Sequence, residues 1–422
     1  MPPGPIALFD KSFLQSLSVD ESVFFDHFFL SVICPLFYVE TLADLEKAIR
    51  QGRTPEQEVG MTAQKFPEMS GHPCVRHQQL CLGDLFGNSI PLEGRIPVLG
   101  GRPVKVNGTP GIIHDSVPEA DAFRRWQQGK FLEVEREFAR SWRDELNAID
   151  LNAIATGVLQ LGINPKDCRS LAQAKEMAGA IVNSEDKPFD KMKLLAASLG
   201  IPRQFHSPIM ERWKMHGYQR LTAYAPFAAH VLTVDIFFQI ALAAQLIGTE
   251  RASNRVDIAY LYYLPFCMLF ISSDKLHRRC APLFLRPNQT FAWGVDLKAD
   301  LALIDQHYKL LPDSEKAKGI FRFATSPPAD TMVHSIWTRH FARPANRSQK
   351  LSGVAERQAT NVPPPMEASG KDKIEYLKQF TDAPTLQEHE VDFDLANPDV
   401  LSIQRTVHRK KGSWWQVPDS KQ

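Results

Sequence analysis

The sequence predicts an α/β protein: a parallel sheet interrupted by a large, mostly helical insertion and followed by a C-terminal tail. Three observations carry this. Two wholly apolar runs, Ile6-Ala7-Leu8-Phe9 and Phe266-Cys267-Met268-Leu269-Phe270-Ile271, each meet an acid at or just after their end, Asp10 and Asp274. That is the pattern of a strand buried on both faces whose C-terminal end presents a side chain. Helical periods flank both runs, and between them the texture turns polar and then Gly/Pro-rich before helical periods return.

Taken in order, Ile6–Phe9 is the first strand and Phe13–Leu17 suggests a helix. Asp20-Glu21-Ser22 resembles a helix start, with Val23, Phe24, Phe28, Phe29 and Val32 recurring at helical spacing up to Cys34-Pro35. Leu36–Val39 fits strand or helix, and Glu40–Glu46 continues in strong helix formers, which places Glu40 near a helix start. Residues 71–110 behave as an irregular loop or small sheet. Residues 119–200 look helical, with Trp126, Phe131, Val134, Phe138 and Trp142 on one face, and apolar helices return over 208–247. Asp257 is expected to cap a helix that precedes the strand 266–271, and Asp274 lies just past that strand. A last strand over Thr290–Trp293 and a helix over Leu297–Leu311 follow.

These elements divide the chain into a split core of 1–50 and 210–310, an insertion of 51–209, an extension of the core over 311–342, an Arg/Ser/Pro-rich linker of 343–372 and a weakly folded tail of 373–422. At 422 residues with 44% hydrophobic and 23% charged residues, the chain can bury a substantial core, which excludes disorder throughout. Forty-nine basic against forty-eight acidic residues exclude a global polyelectrolyte field, so any nucleic-acid contact must be local. Six scattered cysteines and an N-terminus without a signal peptide's flank or length fit a reduced, cytoplasmic protein. The apolar stretch Leu221–Ile247 contains Pro226, His230, Asp235 and Gln239, which argues for a buried helix and against a membrane partner.

The chemistry rests on four carboxylates, Asp10, Glu40, Asp257 and Asp274, placed at strand ends and on helices. Ligands of a parallel α/β sheet gather at the carboxyl edge, and phosphodiester hydrolysis needs hard oxygens converging on Mg²⁺ or Mn²⁺. Singly, each acid also suits an ordinary cap, turn or solvated helix position. Ser272 is added as a hydroxyl that could orient water or phosphate, and Ser12 as a weaker case of the same kind.

In these residues the sequence resembles the PIN-domain family of metal-dependent nucleases. Leu8-Phe9-Asp10-Lys11-Ser12-Phe13-Leu14 resembles the family's first strand and its Asp, and Val39-Glu40-Thr41-Leu42-Ala43-Asp44-Leu45, thirty residues on, its helix-borne Glu. Val256-Asp257-Ile258-Ala259 is similar to the third acid at a helix start, and Phe270-Ile271-Ser272-Ser273-Asp274 to a strand ending in hydroxyl, spacer and Asp. The resemblance covers about 1–50 and 210–300. It implies a PIN-like α/β/α sandwich, Mg²⁺ or Mn²⁺ held by Asp10, Glu40, Asp257 and Asp274, and an endoribonuclease acting on RNA or single-stranded nucleic acid. The alternative is an inactive PIN-like scaffold, with the insertion or tail available to a protein partner or a second copy.

Other signals are weaker. His72, Cys74, His77 and Cys81 are zinc-type ligands, but their spacing matches no standard finger or knuckle. Gly100-Gly101-Arg102-Pro103 lacks the ending of a phosphate loop, and neither a catalytic triad nor a reactive cysteine has a recognisable context. Two basic patches could meet phosphates: Lys275, His277, Arg278, Arg279 and Arg286, and Arg405, His408, Arg409, Lys410 and Lys411 beside the stacking candidates Trp414-Trp415. The Phe24–Phe29 and Tyr260–Tyr263 clusters are expected in the core.

Overall fold

The structure, a computed structural model, describes residues 4–47, 52–68, 71–94, 102–106, 109–113, 118–157, 164–341 and 410–416. The linker and most of the tail lie outside these residues. Its centre is a five-stranded parallel sheet in the order β3-β2-β1-β6-β7.

β1 (Ile6–Phe9) is buried throughout and ends at Asp10, whose carboxylate caps α1 (Lys11–Ser16) by accepting the Phe13 N–H. α2 (Val19–Phe28) starts in a reciprocal capping box between Ser18 and Glu21, each satisfying the other's backbone N–H. The helix expected to run on to Cys34 instead stops at Phe28, and Leu30–Ile33 forms β2 between β1 and β3. A continuous apolar run has no period that separates a buried helix from a doubly buried strand, so the burial of all four β2 residues explains the difference.

α3 (Pro35–Leu42) starts with proline in its first turn, so the ambiguous Leu36–Val39 is helical and Glu40 lies in the last turn rather than near a start. α4 (Pro55–Lys65) is followed by β3 (Gly71–Pro73), which pairs with β2. The sheet therefore takes an edge strand from the stretch expected to lie outside the core. After α5 (His77–Leu85), β4 (Arg102–Val106) and β5 (Thr109–Ile113) make a separate antiparallel hairpin.

α6 spans Pro118–Gln127, α7 Glu133–Asn147 and α8 Leu151–Gly157. The single apolar face expected here is broken: Trp126 is buried, while Val134 and Phe138 are exposed. The chain breaks between α6 and α7, and α7 turns Glu135 and Ala139 inward, where Glu135 accepts from Arg125 at 2.5 Å. α9 (Leu171–Asn183), α10 (Pro188–Ser198), α11 (His206–Met215) and α12 (Leu221–Tyr224) lead to α13 (Pro226–Ala243). Among the described residues α13 alone is long and apolar enough to cross a membrane, and 72% of it is buried inside the protein.

α14 (Asn254–Ala259) runs into a 3₁₀ turn, Tyr260–Phe266, whose tyrosines are core as expected. β6 (Leu269–Ser272), α15 (Lys275–Cys280), β7 (Thr290–Trp293) and α16 (Gly294–Lys309) complete the sheet region, an architecture compatible with an α/β/α fold. Gly294 is required at the junction: a Cβ there would collide with Ser273 Oγ and press on Phe13.

Part of the tail is core rather than weakly folded. β8 (Lys410–Lys411) and β9 (Trp414–Trp415) form a hairpin whose Trp414 is buried against Phe24 and Phe323 and donates to Asp305 at 2.9 Å. Lys411 is buried as well and donates to the Phe66 carbonyl at 2.8 Å. These two residues are unavailable to bases and phosphates; Arg405, His408 and Arg409 lie outside the described residues.

Candidate functional site

The strand order dictates where a ligand would sit. From β1 the chain crosses to β2 and β3 on one side, and from β6 it crosses to β7 on the other, so the direction reverses between β1 and β6. In open α/β sheets such a switch point leaves a crevice outside the carboxyl ends of the two strands. Asp10 follows β1, and Ser272 and Asp274 end and follow β6. A cleft of about 320 Å³ opens there, and Asp10, Glu40, Asp257 and Asp274 all line it.

Asp10 is buried, and its Oδ2 accepts from Ser12 at 2.7 Å, from Ser272 at 2.6 Å and from His277 Nδ1 at 3.3 Å. Burial pushes its pKa up, but the His277 charge and the serine hydrogen bonds outweigh it, so the carboxyl lies below its ordinary range. Ser272 does not face the cleft as a free hydroxyl. It donates to Asp10 and accepts from the Asp274 N–H at 2.9 Å, with His277 Nδ1 at 2.8 Å on its other side. The role expected of it, orienting water or phosphate, is replaced by holding Asp10.

Asp274 caps α15, accepting from the N–H groups of Leu276 and His277 at 2.6 and 3.3 Å. Glu40 reaches the cleft from the end of α3, where its Oε2 accepts from Tyr260. Burial raises the Glu40 pKa against the opposing pull of Lys11 and the tyrosine hydroxyl.

Asp257 is inside α14, whose N-terminus belongs to Ser253, so it does not cap the helix as expected. Its Oδ2 is buried and has no hydrogen-bond partner among the described residues. Burial first, then the charges of Glu40 and Asp274, push its pKa up to about 7, against the opposing pull of His277. A buried carboxylate oxygen among other acids is balanced by a proton or by a cation, and carboxylate oxygens are hard donors of the type that Mg²⁺ or Mn²⁺ takes. Among the described residues, no three His, Cys, Asp or Glu side chains stand close enough to hold an ion as they are placed. The donors are of the type a divalent metal takes, but as placed they do not converge on one.

Sequence reasoning missed the residue that ties these parts together. His277, assigned to a phosphate-binding patch, is 1% exposed and bridges Asp10 to the Asp257 carbonyl, which its Nε2 meets at 2.6 Å. Burial opposes its charge, but Asp10 and the Asp257 side chain and carbonyl prevail and raise its pKa to about 9. Its position three residues after the capping Asp274 was the available signal. The rim carries Lys11, Lys47, Arg143, Arg251 and the Trp142 indole, so α7 of the expected insertion walls the cleft. Lys11 and Lys47 pair with Asp44 at 2.9 and 2.7 Å.

Of the rest of the first basic patch, Lys275, Arg278 and Arg279 are exposed, and Arg278 lies over the Trp293 ring at 4.8 Å. Among the described residues the zinc-type ligands form no metal-holding group: Cys74 and Cys81 are buried free thiols, and His77 packs on Tyr262 with burial lowering its pKa to about 4. The His72 side chain lies outside the described residues. No family model, no curated protein and no solved structure matches the chain.

Proposed function

We propose that the chain is a PIN-like, Mg²⁺- or Mn²⁺-dependent nuclease that cleaves RNA or single-stranded nucleic acid. The observation that carries this reading is the meeting of four sequence-distant carboxylates in one cleft at the switch point, with a buried Asp257 oxygen that has no partner among the described residues. Glu40, Asp257 and Asp274 are the residues that would hold the ion, with Asp10 beside them. Bound there, the ion supplies Lewis-acid stabilisation of charge building on the phosphate. Ser12, Ser272 and His277 fix the Asp10 carboxylate. Arg143 and Arg251 offer phosphate contacts at the rim, and Trp142 a ring on which an unpaired base can stack.

The test is cleavage of a panel of RNAs and single-stranded DNAs by the purified chain with Mn²⁺. The expected result is chelator-sensitive cleavage that Asp10→Asn and Asp257→Asn each abolish. Failure to cut any substrate, or an Asp10→Asn variant as active as wild type, overturns the proposal.

A second reading, a nucleic-acid or protein-binding scaffold without turnover, is favoured by one observation: Asp10 is already compensated by His277 with no metal needed. It predicts binding that chelators leave unchanged.

A further inference from the structure

We propose that the outer face of α16 is a self-association surface on which a second copy of this chain docks, the two helices running antiparallel about a two-fold axis. The inference is independent of the nuclease reading and stands or falls without it.

α16 is apolar on two sides. Leu297, Leu301, Ile304 and Tyr308 are buried on the inner side. At about 100° per residue, Val295, Ala299, Leu303, Gln306 and the capping Leu310 fall on the opposite side within an arc of about 80°. All five are exposed, Val295 by 54%, Leu303 by 60% and Leu310 by 87%, and none carries a charge. A helix apolar on opposite faces belongs between two covering surfaces, and a run of exposed apolar side chains marks an interaction site.

The order of residues along this face identifies the occupant. A two-fold contact requires that where one residue meets another, the second also meets the first. The α16 face satisfies this when reversed end to end. With Leu303 beside the axis, Val295 meets the partner's Leu310, and the small Ala299 meets the longer side chain of the partner's Gln306. An antiparallel pair brings the same edge of each helix together. Asp296 and His307 are exposed on one such edge, near opposite ends of the helix, so Asp296 meets the partner's His307 at both ends of the contact. An imidazole N–H donates to a carboxylate in either charge state of the ring. The other edge carries Lys298 and Lys309, which are already paired within the chain, Lys298 with Glu21 and Lys309 with Asp20 and Asp305. A contact limited to one helix about 24 Å long is small beside the roughly 1,200 Å² of a stable complex, so the dimer is a reversible one.

The test is sedimentation equilibrium of the full chain, without metal or nucleic acid, from about 1 to about 500 μM, the range in which small interfaces act. The mass should rise from the 47.6 kDa of one chain toward twice that value. Leu303→Glu, at an exposed position and checked for folding by circular dichroism, should remain monomeric throughout. A wild type that is monomeric throughout overturns the proposal, as it would if residues 342–409 of the same chain cover this face. A folded Leu303→Glu variant that dimerises like wild type also overturns it, by moving the contact to another surface. For orientation, a bismaleimide spanning about 10 Å, the spacing of packed helices, should join a mixture of Val295→Cys and Leu310→Cys chains but neither variant alone. The six native thiols are buried and do not compete. Linkage within each variant alone, with none gained on mixing, overturns the antiparallel arrangement.

Discussion

Replacing His277 by glutamine tests the buried pair at the centre of the site. The pKa of His277 rises from its ordinary 6.5 to about 9 in the folded chain. At ~1.4 kcal/mol per unit, protonated His277 contributes on the order of 3 kcal/mol to stability. Breaking a buried ion pair on one side typically costs about 3–5 kcal/mol, which agrees. The sign follows from a raised folded pKa: the contribution is fully present below pH 6.5 and is lost as pH rises through about 9. Asp10 behaves oppositely, because its folded pKa is depressed; its contribution is present above the ordinary carboxylate range and is lost as pH falls through the lowered value. Glutamine keeps hydrogen-bonding capacity but has no titrating charge. Urea unfolding of both proteins from about pH 6 to about pH 10 reads the effect, and thiols and tyrosines common to both cancel in the difference. Wild type should be the more stable by on the order of 3 kcal/mol near pH 6, with most of that gap closing by pH 10. A gap that stays constant across this range refutes the argument.

Three further outcomes follow from the same geometry. Because the Asp257 pKa is pushed up to about 7, Mn²⁺ must displace a proton below that pH. Calorimetry should show affinity tightening as pH rises to about 7 and levelling above it, with Asp257→Asn abolishing the dependence; pH-independent affinity would contradict the assignment. Trp414→Ala should destabilise the chain by about 3–5 kcal/mol, as large buried aromatics do, while leaving nucleic-acid affinity unchanged in the folded fraction; weaker binding without loss of stability would restore it as a stacking residue. Gly294→Ala should destabilise by about 1–3 kcal/mol, because the new Cβ displaces Ser273 and Phe13 at the carboxyl edge; a neutral result by thermal unfolding would show that edge to be slack.

What could be seen in the sequence depended on whether a residue's role is local. β1, β6 and β7 were legible because short apolar runs end at turn-forming residues, and Asp10 and Asp274 were legible because the ends of such strands lie at the edge where ligands gather. β2 was hidden because it follows a helix with no breaker between them and is apolar on both faces. β3 is Gly-His-Pro, with no apolar run; only its register against Ser31–Ile33 makes it a strand. Its place in the sheet is a tertiary fact, and so is the placement of α7 over the cleft, which undoes a clean separation of insertion from core. His277 was taken for a surface cation because its partner Asp10 meets it only when β1 and β6 lie side by side. Trp414 was misread for the same reason, its packing against Phe24 and Asp305 being invisible in a basic stretch.

The most direct measurement is the anomalous difference map of a crystal of the full chain soaked in Mn²⁺. One peak within the cleft, in contact with the carboxylates of Glu40, Asp257 and Asp274, is the expected result. A map with no peak there, in a crystal whose cleft is open to solvent, would contradict the claim that these acids exist to hold a metal.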